Sequence, residues 1–495
     1  MLRYRRWAIL WPYLPGVTAL VSIAVAAVSA RNRTPWSDEG QFSSASYNLA
    51  KHGFFGTTVM ELAGTGLTRM DQHTYWIMPL FPLGEALWYR VFPADVFWTR
   101  AFSIAWIPIA LTAFFLFLDK LTGDRRVSSV GVSLLALSFV FIDNAAFARP
   151  DLMCCALGLC GLAAYVRLRD RSLPKALFWS NVFIAASGLS HPNGILHFAA
   201  LALLVIWLDR FRLTFASLAA AAVPYLLFAL PWSVYIFQDH HAFLDQMRYN
   251  GTNGRWTPTL NPFVIIWREI RDRYLVTFGL VTRGPALLKA YALLVYLLAV
   301  VCSLADSGLR RRPETRLLLA LLAVYLVLMS VFNQKLSYYL INIVPIYIAL
   351  VAIWLVWNWD QYPRLRPILV MAALLLAAID TGGLLLKAHM RSYIANERGA
   401  IDFLRSHTLP SDRIVGTAGL IYDLGFDPRL RDDPYVGLRS GRPPDAIVVE
   451  VIYQDMYTGW ATQRPVDQRA INARLAQYQL AYQNPDYKIF LAPGR

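Results

Sequence analysis

Trp36-Ser37-Asp38-Glu39 sets two adjacent acids a few residues beyond a long apolar segment, 11–30. Desolvation beside a bilayer makes a carboxylate a stronger base, so an acid in that position suits proton abstraction from a substrate arriving at the membrane surface. A charge this close to hydrocarbon is costly unless it is used or paired. The local alternative is that Thr34 caps a helix, Pro35 takes its first position, and Asp38 and Glu39 complement the helix dipole in the first turn. Both readings can hold together.

Three further clusters carry chemistry-bearing residues. Arg149-Pro150-Asp151 follows Asp143 and Asn144; the arginine and aspartate either pair structurally or supply an anion contact and a second carboxylate. His191-Pro192-Asn193-Gly194 joins two apolar segments, a turn in which histidine is structural or a proton carrier. Lys335-Leu336-Ser337-Tyr338-Tyr339 ends another apolar segment, and Pro345 follows. The stretch 238–285 holds Arg248, Arg255, Arg268, Arg271, Arg273 and Arg283, with Asn250 to Gly254 as a flexible run. Arginine with glycine fits an anion-gripping loop, while 267–274 equally fits an interfacial segment lying on lipid headgroups.

The elements that position these clusters are membrane helices. With 57% hydrophobic and 16% charged residues over 495 positions, the chain is too apolar for a soluble protein of ordinary composition. The net charge of +15 does not point to nucleic acid, because Lys and Arg fall in short gaps between apolar segments, where topology explains them. Cys154, Cys155, Cys160 and Cys302 each lie within apolar runs, which disfavours disulfides and a zinc site. Arg3, Arg5 and Arg6 before the first segment read as a retained signal anchor.

Eleven segments are expected to span the ~30 Å hydrocarbon core: 11–30, 98–118, 127–142, 152–166, 176–189, 194–208, 213–237, 286–305, 317–332, 341–357 and 368–386. With the N-terminus in the cytoplasm, the five cytoplasmic gaps hold fifteen Lys or Arg residues, and the three short gaps opposite hold only Arg149 and Lys335. That asymmetry is the positive-inside pattern. It sends loops 31–97 and 238–285, all four clusters and the region 387–495 to the outer, periplasmic or extracellular side. In that last region 397–407 reads as a helix, and 413–418, 446–453 and 487–492 as strands, giving a small α/β domain after a membrane domain over 1–386. Lys335 breaks the charge rule on its side, and a bound phosphate would explain it. There is no Gly-rich phosphate loop, no zinc-binding His-Glu-x-x-His and no Gly-x-Ser-x-Gly elbow.

Taken together, Trp36-Ser37-Asp38-Glu39-Gly40 after the first helix, Ala148-Arg149-Pro150-Asp151, Ser190-His191-Pro192-Asn193-Gly194 and Lys335 with Tyr338, Tyr339 and Pro345 resemble the GT-C glycosyltransferases. Within them the chain looks most like the bacterial protein-mannosyltransferase and aminoarabinose-transferase group. The resemblance implies a polytopic helical enzyme of the inner membrane that moves a sugar, with inversion, from a polyprenyl-phosphate carrier to an extracytoplasmic lipid, glycan or protein. By position it makes Asp38 the general base, Asp151 a second active-site acid with Glu39 beside the base, and Lys335, Arg149 and loop arginines such as Arg255 the phosphate contacts. His191, Tyr338 and Tyr339 would line the substrate site. Some relatives use a divalent metal near the phosphate; no ligand set for one can be named from these residues. Members of the aminoarabinose group have thirteen membrane helices, and the Pro-Pro many relatives carry in the first loop is missing after Gln72, where His73-Thr74-Tyr75-Trp76 stands. A transporter or flippase of a lipid-linked sugar is the rival reading. Transporters tend to show repeated halves and mid-bilayer charges, and this chain has no repeated halves and only Asp380 toward the end of its last apolar segment.

Overall fold

The computed structural model describes residues 12–251, 261–281 and 284–494. All eleven expected segments are helical there. Among the described residues, eight helices are long and apolar enough to cross a membrane alone, and a bent pair, Arg125–Leu137 with Phe139–Ala145, makes nine. The two remaining expected spans are Leu173–Ser190 and Val344–Gln361, of 18 residues each, about 27 Å at the helical rise. Polar side chains such as Asn181 and Asn358 dilute them, so the expected eleven crossings become eight or nine by length and apolarity.

The bent pair breaks by 57° at Ser138. A helix break inside a bundle leaves backbone N–H groups without partners, a costly condition away from water. Asp380 of the last spanning helix, Arg366–His389, meets that need: its Oδ2 accepts from Phe139 N at 3.1 Å. The acid that stood out within the last apolar segment is therefore a cap on a neighbouring helix.

After that helix the chain enters a five-stranded mixed sheet of order β2-β1-β3-β5-β4. Its strands are β1 (Ile414–Val415), β2 (Leu430–Arg431), β3 (Ala446–Glu450), β4 (Gln479–Gln483) and β5 (Tyr487–Leu491). β1 runs parallel to β2 and β3, while β5 is antiparallel to β3 and β4. Every residue of β3 is buried. Ala446 and Val448 join one apolar cluster with Ile401 and Leu404 of the helix Arg398–His407, and Ile447 and Val449 join another with Tyr453 and Tyr457 of the helix Val451–Gln463. Side chains alternate along a strand, so a strand covered on both faces reads as the unbroken apolar run 446–449. The expected strand to 453 ends at Glu450, because Tyr453 and Tyr457 recur at helical rather than strand spacing. β2 and β4 were not foreseen; one is two residues long, and the other is an exposed edge rich in Gln.

This sheet unit rests on the helix Ser37–His52, which carries the acidic pair. Positions 37, 40, 43, 44 and 47 share one helical face of small or hydroxyl-bearing residues. Ser37 Oγ donates to Asp432 Oδ2 at 2.6 Å, Ser43 Oγ lies 2.8 Å from Tyr422 OH, and the Tyr47 ring stacks on Phe426 at 4.0 Å. Asp432 Oδ2 also accepts from Ala418 N at 3.0 Å, and its Oδ1 from Tyr453 OH at 2.7 Å. Gly40 allows the approach, since a Cβ there would lie 1.9 Å from the carbonyl oxygen of Ala418. Gly40→Ala must push backbone away from backbone, an overpacking change that costs about 1–3 kcal/mol. We expect its melting temperature to fall and limited proteolysis to cut near 418, whereas Gly53→Asn, at a left-handed C-cap with open space around it, leaves both unchanged.

Candidate functional site

The helix bearing the acids begins at Ser37, with Trp36 at its cap position. Thr34 does not cap it and Pro35 is not its first residue. Glu39 reaches back instead, its Oε2 accepting from Trp36 N at 2.7 Å, while Thr34 Oγ1 bonds to Ser392 Oγ at 3.2 Å. The expected helix start is shifted by two residues because the acid itself supplies the reciprocal bond of the cap.

Glu39 is fully buried, and both of its oxygens are occupied. Arg100 grips it with Nε to Oε1 and Nη2 to Oε2, each 2.8 Å, and Ala148 N donates to Oε1 at 2.8 Å. Arg100 Nη1 donates to the carbonyls of Ala30 at 2.7 Å and Arg33 at 2.8 Å. Glu39 thus ties the helix start, through Arg100, to the end of the first spanning helix and, directly, to the turn before Arg149. Its neighbour Asp38 points the other way.

Asp38 opens into a cavity of about 310 Å³ lined with Trp36, Phe42, Trp76, Arg149, His191, Tyr338 and Tyr339. Its side chain keeps 32% of its exposure, whereas Arg149 beside it keeps 6%. Arg149 bridges two acids: Nη1 donates to Asp38 Oδ2, and Nε to Asp151 Oδ2 at 3.0 Å. The Tyr338 ring lies under the guanidinium, 3.7 Å from its centre. Burial works against the charge, but Asp151, Tyr338 and Asp38 together raise the Arg149 pKa well above the ordinary arginine value. His191 accepts from Asn193 N at Nδ1 (3.0 Å) and turns Nε2 toward Asp151 Oδ1, 4.0 Å away. That Oδ1 is buried without a hydrogen-bond partner. Pro192 also lines an adjoining, mainly apolar groove of about 500 Å³ with Ile195, Phe198, Tyr225, Phe228 and Trp232. A charged chamber and an apolar groove therefore share one corner.

Asp38, Asp151, Arg149, His191, Tyr338 and Tyr339 are brought together as the sequence predicts. Lys335 is not among the cavity-lining residues. Its Nζ pairs with Glu269 at 2.7 Å and donates to the carbonyls of Ser330 at 2.8 Å and Met329 at 3.2 Å, so Glu269 rather than a bound phosphate accounts for a cation on this side. Arg273 pairs with the same acid at 2.6 Å and donates to Gln334 O and Leu336 O, pinning the loop that presents Tyr338. Arg255 and Arg283 lie outside the described residues. Arg100 escaped the sequence reading, although an arginine two residues into the apolar run 98–118 signals a buried carboxylate partner. Among the described residues no three His, Cys, Asp or Glu group so as to hold a metal ion, and the site's two carboxylates share a guanidinium instead.

The architecture is a polytopic helical bundle carrying a C-terminal α/β unit beside the acidic first loop. No family model matches the sequence, and no curated protein matches it. Among solved structures, ArnT from Cupriavidus metallidurans bound to undecaprenyl phosphate aligns with a TM-score of 0.63 at 12% identity, over 98% of this chain and 97% of that one. Its apo state aligns at 0.62 and 14% identity, over 99% and 98%. The Archaeoglobus fulgidus oligosaccharyltransferase in complex with Zn and sulfate aligns at 0.56 and 13% identity, over 94% of this chain and 71% of that one.

One buried acid under the site contributes to the pH dependence of stability. Glu85 Oε1 accepts from Ser43 Oγ at 3.2 Å, its Oε2 has no partner, and burial pushes its pKa up to about 8. The folded state then holds a proton that the unfolded chain releases near pH 4.5. Stability from this group is present below that pH, falls as pH rises through the window up to about 8, and is flat above it. Glu85→Gln should lessen the fall in melting temperature between pH 5 and 8, the buried Glu450 and Glu397 keeping their own share; an unchanged slope would remove Glu85 as a contributor.

Proposed function

We propose that this protein is an inverting glycosyltransferase that moves a sugar from a polyprenyl-phosphate carrier to an acceptor hydroxyl on the extracytoplasmic side of the inner membrane. The observation that carries the reading is the cavity where a partly exposed carboxylate, Asp38, meets a buried cation, Arg149, beside an exposed apolar groove. Ile195 and Phe198 on that groove are nearly half exposed, as a surface facing acyl chains would be. One solved structure of the same fold is bound to undecaprenyl phosphate, which supports a lipid-phosphate donor here.

In this reading the prenyl chain lies in the apolar groove, and the donor phosphate enters the chamber and takes Arg149 from Asp38. The freed carboxylate accepts the proton of the acceptor hydroxyl as its oxygen attacks the anomeric carbon. The bond from that carbon to the phosphate oxygen breaks, and the phosphate gains a negative charge on leaving. A fixed guanidinium in a water-poor site stabilises such developing charge without reorganising. Asp151 holds Arg149 in place, and His191 stands near its free oxygen. Lys335 acts at one remove by securing the Tyr338 loop. One solved structure that shares the fold is an oligosaccharyltransferase, which favours this reading over transport of a lipid-linked sugar.

The purified chain, assayed with a panel of polyprenyl-phosphate sugars and membrane extract as acceptor, should form a glycosidic product detectable by mass spectrometry. Asp38→Asn should lower turnover by about 10²–10⁴, the usual contribution of a positioned base, with an unchanged melting temperature; full turnover in that variant would remove Asp38 as the base. Arg149→Lys keeps the charge but loses the two-pronged grip, so it should lower kcat, whereas Lys335→Met should lower the melting temperature more than it lowers kcat. Movement of the intact lipid-linked sugar across vesicles without bond formation would decide for the transporter.

A further inference from the structure

At the end of the bundle opposite the site, the helices Trp106–Thr122 and Leu173–Ser190 both pack on Pro150–Leu168 and leave a groove of about 900 Å³ between them. This end is the cytoplasmic one by the charge pattern. The groove exists because its floor is made of small residues, Ala113, Ala163 and Ala164, where larger side chains would fill the space. It runs from Pro108 to Lys120, twelve residues or about 18 Å along the helix. That length is close to one leaflet of a bilayer whose hydrocarbon core is about 30 Å thick.

Its mouth is cationic. Lys120, Arg167 and Arg171 line it against one carboxylate, Asp170. Lys120 pairs with Asp170 at 2.7 Å, Arg167 lies 3.7 Å from Asp119, and both cations remain more than 40% exposed. Arg171 is exposed as well. A small-residue channel of leaflet length, ending in three cations at headgroup depth, has the shape and charge of one lipid molecule: an acyl chain on the apolar floor and an anionic phosphate at the rim. A zwitterionic headgroup would bring its own ammonium against the arginines, and a free phosphate would leave the floor uncovered.

We propose that this groove binds one anionic phospholipid of the cytoplasmic leaflet, its phosphate held by Lys120, Arg167 and Arg171. The site stands apart from the catalytic chamber and does not depend on the reaction assigned to it. The test is native mass spectrometry of the full chain in detergent, titrated with phosphatidylglycerol, with phosphatidylcholine of the same chains, or with glycerol phosphate. Phosphatidylglycerol should be retained in preference to phosphatidylcholine, and glycerol phosphate should not displace it at equal concentration. Arg167→Gln and Arg171→Gln should each weaken phosphatidylglycerol retention roughly fivefold, the share of one cation near a membrane surface, and leave phosphatidylcholine unchanged. Thr112→Phe, at an exposed position of the groove, should reduce retention by filling the channel without lowering the melting temperature. Equal retention of the two lipids, or retention untouched by all three variants, overturns the proposal. Displacement by glycerol phosphate at equal concentration would make it a site for small anions and overturn the lipid assignment.

Discussion

Glu39 and Arg100, both without solvent contact, form the joint on which the candidate site depends. An arginine inside an apolar run has no tolerable state alone, and a glutamate beside it has none either. Their two-pronged pairing satisfies both, and the spare donors of Arg100 reach the carbonyls that close the first spanning helix. The spare capacity of Glu39 caps its own helix and catches the backbone just before Arg149. Two hydrogen bonds in a plane set direction as well as distance. Removing one partner would leave a buried, uncompensated charge, a loss of about 3–5 kcal/mol.

Orientation follows from that joint. With Glu39 turned inward, helical geometry turns its neighbour outward, so Asp38 faces the chamber. Ala148, held by Glu39, brings Arg149 to the same chamber, where it meets Asp38 from one side and Asp151 from the other. A guanidinium between two carboxylates is a stable resting arrangement, and it is this arrangement that the phosphate of the proposed donor would reorganise. The sheet unit completes the frame from above, because Asp432 holds Ser37, the residue next to Asp38.

Several charged residues away from the chamber have structural explanations of the same kind. Asp380 caps a broken helix, and Glu269 neutralises Lys335 while Arg273 fastens the loop that carries Tyr338. In each case a charge in or near the membrane is matched by the group that most needs it. These are long-range partnerships: 241 positions separate Phe139 from Asp380, and 66 separate Glu269 from Lys335.

Local properties were legible in the sequence. Hydropathy placed a helix at each of the eleven expected segments, because apolarity over some twenty residues is a statement about one helix and its solvent. The distribution of Lys and Arg gathered Asp38, Arg149, His191 and Tyr338 at one end, since every crossing reverses direction. The unbroken apolar run 446–449 announced a central strand. Which of two adjacent acids faces the cavity, why Lys335 sits where it does, and that Arg100 matters were decided only by tertiary structure. The opening stretch Trp36-Ser37-Asp38-Glu39 shows why: the two carboxylates are chemically equivalent along the chain, and the difference between them is an arginine 61 residues away that binds one and leaves the other facing the cavity.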